Sequence, residues 1–176
     1  MSKTRTYKMP SEPGRGGWAK FIIDDDGYFS VVSDYGNYAF HWTAFGDDFR
    51  EFLLDISPDY LMGKLSNGKM CFDLVGTKAR IFEHIKEYRR DSYIKKDEAR
   101  EMWDEIEVLD SEHDLHSYFE NNSSDIFEEW WDMFRQDYPA DLKGFATWVY
   151  PRFVAMLKAE LAAEGGKACP ETPTSK

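Results

Sequence analysis

Short runs of aromatic and β-branched residues early in the chain predict β-strands. The runs WAKFII, YFSVVS and YAFHWT lie between Trp18 and Thr43. The segments between them contain Gly beside Asp or Asn, residues that tolerate the positive φ of a tight hairpin. This pattern predicts a meander of three antiparallel strands with Phe29 and Val31 on one face. Helices are expected to cover one face, because a small sheet alone is marginally stable in water.

Later in the chain, apolar residues recur three and four positions apart, which is typical of amphipathic helices. Asp47 or Asp48 is expected to cap a short helix that Pro58 ends. Further helices are predicted over about 73–90, 95–109, 114–120 and 141–163, the last kinked or divided at Pro151. Residues 61–72 fit either a hairpin through Asn67-Gly68 or a loop, and 126–134 fit either a helix or a buried strand.

The predicted fold is therefore α+β, with an N-terminal three-stranded antiparallel sheet packed against four to five helices. Residues 1–16 are basic and hold two prolines and two glycines, which indicates a flexible arm. Residues 17–164 are expected to form a single α+β domain. Residues 165–176 are rich in Gly, Pro and Thr and are expected to form a flexible tail.

The charge of the chain is strongly negative and unevenly distributed. The formal net charge is −11, and residues 91–141 hold seventeen Asp and Glu against four Lys and Arg. The same stretch is rich in aromatic residues, so its acid is expected on a folded surface rather than in a disordered tail. Such a surface repels nucleic acid and attracts basic protein surfaces. We therefore expect a host protein or nucleoprotein partner with a basic surface, and no direct nucleic-acid binding by the folded domain.

The best candidates for partner binding are acidic side chains on one predicted helix face and aromatic side chains near acids or in a turn. The face consists of Asp97, Glu98, Glu101, Asp104, Glu105 and Glu107. To these we add Glu128, Glu129 and Trp130, and Tyr35 and Tyr38 of the turn between the last two strands. The alternatives are a solvated helix face and a purely structural turn. Against the first stands the scarcity of Lys and Arg that would offset the repulsion.

No pattern in the chain indicates catalysis. There is no G-x-S-x-G turn and no phosphate-cradling loop, and the acids at 24–26 lack the spacing of a calcium loop. His113 and His116 form the only local cluster with metal-ligand chemistry, and no second pair completes four ligands. His41 lies on a predicted strand and has no nucleophile in a recognisable arrangement. We therefore predict a protein that is not an enzyme, with no catalytic residue, metal or cofactor.

Location is inferred from cysteines and hydropathy. Two cysteines, Cys71 and Cys169, are too few for a disulfide framework and fit a reducing compartment. No apolar run approaches the ~18 residues that a membrane helix needs. The expected location is the cytoplasm of the host cell.

Three strings resemble a group of phage and prophage accessory proteins. They are SDYGNYAFHW at 33–42, DDFREFLLDI at 47–56 and DYLMGKL at 59–65, which follow the pattern D-[YW]-G-N-Y…DFR-x-FL…DYL-x-GK. The segments AREMW at 99–103 and WVYPRFVAMLKAEL at 148–161 are also similar. The resemblance implies phage origin. With the acidic character it suggests an inhibitor of host defence, such as an anti-CRISPR protein. The alternatives are a metal-dependent hydrolase or nuclease using His113 and His116, and a phage assembly factor.

Overall fold

The computed structural model describes residues 2–14, 17–122 and 125–165 and shows a mixed α+β protein. The chain divides into two compact units. Unit 1 comprises Met1–Lys69 and Tyr138–Lys176, and unit 2 comprises Met70–Asp137. That residues 17–164 form a single domain stays a prediction. Residues 166–176 of the predicted tail lie outside the described residues, as do 1, 15 and 16 of the predicted arm.

The described residues form six helices, of which the last has three continuous segments. They are α1 (Phe49–Asp55), α2 (Pro58–Leu65), α3 (Leu74–Arg90), α4 (Lys96–Glu107), α5 (Glu112–Asn121) and α6, in which Ala140–Gly144, the π-helical Phe145–Val149 and Tyr150–Gly165 follow one another. Four to five were predicted; the additional helix is α2. Pro58 begins this helix rather than only ending α1, because Ser57 caps it and a proline at the first helical position sacrifices no hydrogen bond.

Unit 1 contains a four-stranded antiparallel sheet, and three strands were predicted. The order is β1 (Thr4–Met9), β2 (Ala19–Asp24), β3 (Tyr28–Ser33) and β4 (Gly36–His41). The prediction of a flexible arm is wrong for Thr4–Met9, which pairs with β2 along its length. The reason is alternation: Tyr7 and Met9 are buried on the inner face of the sheet, whereas the neighbouring Thr6 and Lys8 are exposed.

Aromatic rings make the centre of the unit 1 core. Phe21 and Phe29 of the sheet and Phe145 and Phe153 of α6 are fully buried. The rings of Phe21 and Phe153 stack with centroids 4.0 Å apart. The sheet therefore packs its inner face against α6, as the pattern of the strands required.

Pro151 neither ends nor divides α6. The backbone N–H of Tyr150 donates to the carbonyl of Phe145, five residues earlier, so the helix is π-helical just before the proline. Pro151 has no N–H to donate, and a locally wider turn accommodates it without a break in the helix. The predicted long C-terminal helix is thus confirmed, with a π segment at the expected irregularity.

A buried arginine joins α1 to the end of α6 within unit 1. The Arg50 guanidinium pairs with Asp48 at 2.9 Å, Glu160 at 3.0 Å and Glu164 at 2.9 Å. Asp48 is also the N-cap of α1, where its carboxylate accepts from the backbone N–H of Arg50 at 2.8 Å. The hydrogen bond from the Arg50 side chain is the main cause that holds the pKa of Asp48 below its usual value.

Unit 2 consists of helices and one short pair of strands. The predicted helices over 73–90, 95–109 and 114–120 are present as α3, α4 and α5. Their packed side chains are fully or almost fully buried, namely Ile81, Ile85, Ile106, Leu115 and Phe119. The strands β5 (Cys71–Phe72) and β6 (Gln136–Asp137) pair antiparallel.

Two segments with ambiguous patterns have specific conformations. Residues 126–134 contain two 3₁₀ turns, Asp125–Phe127 and Trp130–Met133, instead of the α-helix or buried strand considered. Asn67 and Gly68 have positive φ, but they follow α2 and do not form a hairpin turn between paired strands. Both predictions were limited by short apolar runs, whose conformation depends on tertiary packing.

Candidate functional site

The negative charge of the protein is concentrated in unit 2. This unit contains nineteen Asp and Glu against nine Lys and Arg, a formal charge of −10. Unit 1 contains the remaining fourteen acids and thirteen bases and has a formal charge of −1. The two values add to the −11 of the whole chain. The candidate surface therefore lies on unit 2.

Helix α4 displays the predicted acidic face to solvent. Ala99 and Ile106 are buried, and their spacing fixes which side of the helix packs inward. The predicted acids are all exposed: Asp97, Glu98, Glu101, Asp104, Glu105 and Glu107. The structure thus brings these side chains to one helix surface, as the periodicity predicted.

Three of these acids also have partners within unit 2, so more of the carboxylates are paired than the sequence suggested. Glu98 accepts from the backbone N–H of Lys95 at 2.8 Å, which completes a capping interaction. Asp104 pairs with Arg100 at 2.9 Å, one turn earlier. Glu105 accepts from the Tyr118 hydroxyl at 3.0 Å. Burial, with the Glu105 hydrogen bond second, raises the pKa of Tyr118, so this hydroxyl remains a donor at neutral pH.

Glu128 and Glu129 line an acidic cleft of about 540 Å³ that the sequence did not reveal. The other carboxylates of the cleft are Glu83, Glu87 and Asp132, contributed by α3 and the second 3₁₀ turn. The lining also includes Arg80, His84, Tyr88, Ile126 and Met133. Glu83 and Glu87 are four residues apart on a helix and therefore share a face, which is the one sequence signal that could have suggested the cleft.

Of the two adjacent tryptophans, Trp131 is the exposed one and Trp130 is half-buried. Trp130 stacks on Phe119 with ring centroids 5.5 Å apart and meets Phe134 edge-on at 5.3 Å. Trp131 is 55% exposed. The sequence does not show which of two adjacent tryptophans packs inward in a 3₁₀ turn. The prediction named Trp130. The aromatic surface available beside the acids is that of Trp131.

Tyr35 and Tyr38 lie in unit 1 and are half-buried. The Tyr38 hydroxyl donates to the carbonyl of Tyr35 at 2.5 Å, and its ring packs 5.2 Å from that of Phe145. Burial is the main cause that raises the pKa of Tyr38, followed by the charge of Asp141. These contacts describe a structural turn, while a binding role for the two tyrosines stays a prediction.

Of the histidines considered for chemistry, His113 and His116 lie on α5 of unit 2, and His41 lies on β4 of unit 1. His113 is exposed, whereas the His116 ring packs 4.5 Å from Phe134. The Nε2 atom of His41 lies 3.0 Å from the carbonyl oxygen of Asp26, in a hairpin of unit 1. Within residues 2–14, 17–122 and 125–165, no group of three or more His, Cys, Asp or Glu side chains is placed to hold a metal ion. No helix in the same part of the chain is long and apolar enough to cross a membrane.

The comparisons with known proteins identify the family. The model of a phage family, designated Phage_phiTE_072, matches residues 1–159. Neither the curated proteins nor the solved structures contain a match to the chain. The chain therefore belongs to this phage family.

Proposed function

We propose that this phage protein binds and inhibits a host nucleic-acid-handling defence complex, such as a CRISPR effector, by covering its basic DNA- or RNA-binding surface. The observation that carries the proposal is the concentration of −10 of the net charge of −11 in unit 2. In this unit the acids of α4 are exposed at helical spacing. Membership of a phage family supports a host target.

The physical basis is competition between carboxylates and phosphates. A surface that binds nucleic acid presents clustered Lys and Arg, and an array of fixed carboxylates can neutralise the same cations. Association driven by such charges is fast at low ionic strength and slows as salt screens it, with a Debye length of about 8 Å at physiological salt. An acidic unit also repels the nucleic acid itself, so the predicted partner is the protein part of the complex.

The acidic cleft is the part of the surface that can recognise a particular partner side chain. Five acidic residues and one arginine, Arg80, line this concave site of about 540 Å³. Although Glu83 also pairs with Lys86 at 3.2 Å, the excess of carboxylates suits an inserted Lys or Arg side chain of the target. Trp131 lies next in sequence to Asp132 of this cleft, and an exposed indole is a common anchor at interfaces. The exposed acids of α4 would then speed association with the target, while the cleft and the indole of Trp131 would provide specificity.

The predicted alternatives have no observation that favours them. A metal-dependent hydrolase would need His113 and His116 near further ligands, and the described residues do not bring such a set together. A phage assembly factor would need a surface that matches a second copy or a structural protein. We therefore propose a single function.

The test is capture of the target from host lysate by variants of matched charge. The variant Glu101→Lys/Glu128→Lys/Glu129→Lys reverses three exposed acids of unit 2 whose side-chain carboxylates have no hydrogen bond or ion pair with a described residue. We avoid Glu98, Asp104 and Glu105, because each stabilises unit 2. The control variant Asp26→Lys/Asp47→Lys/Asp55→Lys makes the same charge change on exposed positions of unit 1.

The proposal predicts that wild type and the control retain one nucleic-acid-binding complex at low salt and release it at high salt. The unit 2 variant should lose that complex while its circular dichroism spectrum is unchanged, since exposed substitutions usually alter stability by less than about 0.5 kcal/mol. Equal capture by all three proteins would contradict the proposal. Equal loss in both variants would contradict it as well, because the effect would then belong to net charge rather than to unit 2.

A further inference from the structure

A groove between α3 and α4 of unit 2 is basic, in contrast to the rest of the unit. Its volume is about 370 Å³. Four of the nine Lys and Arg residues of unit 2 line it. These cations are Lys86 and Arg89 of α3 and Lys96 and Arg100 of α4; the remaining lining is Asp97, Ile85, Ala99 and Trp103.

Two of the four cations are available to a ligand. Lys86 pairs with Glu83 at 3.2 Å, and Arg100 pairs with Asp104 at 2.9 Å. Within the described part of the chain, Arg89 and Lys96 have no ion pair, and both side chains are exposed. Lys96 is also the first residue of α4, where the helix dipole contributes further positive potential. Four cations and one acid, Asp97, line the groove, so like charges still repel each other there and an anion in the groove would relieve that repulsion.

The floor of the groove is apolar and includes a fixed indole. Ile85 and Ala99 are buried, and Trp103 is half-buried. The Trp103 ring stacks on Phe82 with centroids 3.9 Å apart and planes inclined by 17°. The Nζ atom of Lys86 lies 5.5 Å from the centroid of the same indole. An apolar, aromatic floor below a group of cations suits a ligand that has both an anionic and a planar part.

We infer that this groove is a binding site for a nucleotide, that is, a small organic phosphate with a planar ring. Arg and Lys side chains recognise phosphate oxygens, and the apolar floor, with the part of the Trp103 indole that Phe82 leaves uncovered, supplies a contact for the ring. A nucleic-acid strand is a poorer candidate, because its many phosphates would also meet the acids that give unit 2 its charge of −10. The groove shares Asp97 with the acidic face of α4, but the inference rests on the cations and the indole and does not depend on the inhibition proposed above.

The test is calorimetric titration of the whole protein with ATP as the probe at physiological salt, where the Debye length is about 8 Å, with three comparison ligands. Pyrophosphate supplies the phosphates alone, adenosine supplies the ring alone, and a twenty-nucleotide single-stranded DNA supplies the polymer. We expect ATP to bind, and pyrophosphate and adenosine each to bind at least about tenfold more weakly. The DNA should bind more weakly than ATP.

Matched variants assign the binding to the groove. Arg89→Glu/Lys96→Glu should weaken ATP binding at least about tenfold, because two charge-assisted contacts are replaced by repulsion. Arg90→Glu/Lys95→Glu makes the same charge change one position away on the same segments but outside the groove lining, and should leave ATP affinity within about twofold. If charge reversal unfolds unit 2, Arg89→Gln/Lys96→Gln takes its place and should give a milder loss of ATP affinity.

Several results would overturn the inference. They are no heat of binding with ATP, equal affinity for ATP and pyrophosphate, tighter binding of the DNA than of ATP, or the same loss in both double variants. Capture of a host complex from lysate is measured separately. A protein that binds ATP but captures nothing would contradict the proposed inhibition alone, and the reverse result would contradict the nucleotide site alone.

Discussion

Replacing Arg50 by methionine is expected to destabilise unit 1 by about 3 kcal/mol. The residue is only 6% exposed, and its guanidinium pairs with Asp48, Glu160 and Glu164. Methionine keeps most of the buried apolar stem and removes the charge. The three carboxylates then lose their common cation while they remain close to one another.

The magnitude follows from the exposure of the three partners. Their side chains are 31%, 30% and 49% exposed, so water screens each pair in part. A hydrogen bond between charged groups contributes about 1.5–3 kcal/mol when buried, and an exposed pair about 0–1 kcal/mol. Roughly 1 kcal/mol for each of three half-screened pairs gives about 3 kcal/mol. For a chain of this size, that corresponds to a melting temperature lower by about 6–12 °C.

The loss should depend on pH in a definite direction. The Arg50 side chain is the largest cause that lowers the pKa of Asp48 in the folded state. A lowered carboxyl pKa stabilises the fold above the unfolded pKa of about 4, and this contribution disappears as pH falls through the folded pKa. Wild type should therefore lose stability below about pH 4, and the methionine variant should have a shallower acid dependence.

The assay is urea denaturation of wild type, Arg50→Met and Arg50→Lys at pH 7 and at pH 3, followed by circular dichroism. Lysine keeps the charge but not the fork that holds several carboxylates, so it should fall between the other two proteins. A loss below about 1 kcal/mol in Arg50→Met at pH 7 would refute the reasoning. So would an undiminished difference from wild type at pH 3.

Two further predictions concern a cap and a buried hydroxyl. In α3, a Cβ on Gly76 would clash with the carboxylate of Asp73, which caps the helix. In a denaturation cycle, Gly76→Ala should therefore forfeit the usual gain of about 1 kcal/mol in wild type and recover it in Asp73→Ala. In α6, the Tyr150 hydroxyl donates to the carbonyl of Leu53 at 2.6 Å, and burial raises its pKa. Tyr150→Phe should cost about 1–2 kcal/mol at pH 7. It should also remove the part of the stability that wild type loses as pH rises above about 10, the unfolded pKa.

The fold was predictable where one periodicity dominated a segment. Alternation located β2, β3 and β4, and apolar spacing located α3, α4 and α5, because each element buries one face of its own. The strand β1 was missed because its two inward residues, Tyr7 and Met9, lie between basic side chains and a proline-rich segment. This short alternation becomes a strand only because β1 pairs with β2.

The candidate site was predictable only where it is local. The exposed acids of α4 follow from the helical period, and they were located correctly. The acidic cleft combines Glu83 and Glu87 of α3 with Asp132, almost fifty residues later, so only the folded unit brings them together. The greater exposure of Trp131 has the same origin, because side-chain direction in a 3₁₀ turn is set by tertiary packing, while a binding role for Trp130 stays a prediction.

The most direct test of the proposed inhibition is competition for the captured target. The complex retained from host lysate would be purified with a labelled nucleic acid bound, and the phage protein would then be added at increasing concentration. Our account predicts that the label is displaced, that the unit 2 variant with lysines at 101, 128 and 129 displaces little, and that the unit 1 control displaces as wild type does. Formation of a ternary complex in which nucleic-acid affinity is unchanged would contradict the claim that the acidic surface covers the nucleic-acid-binding site.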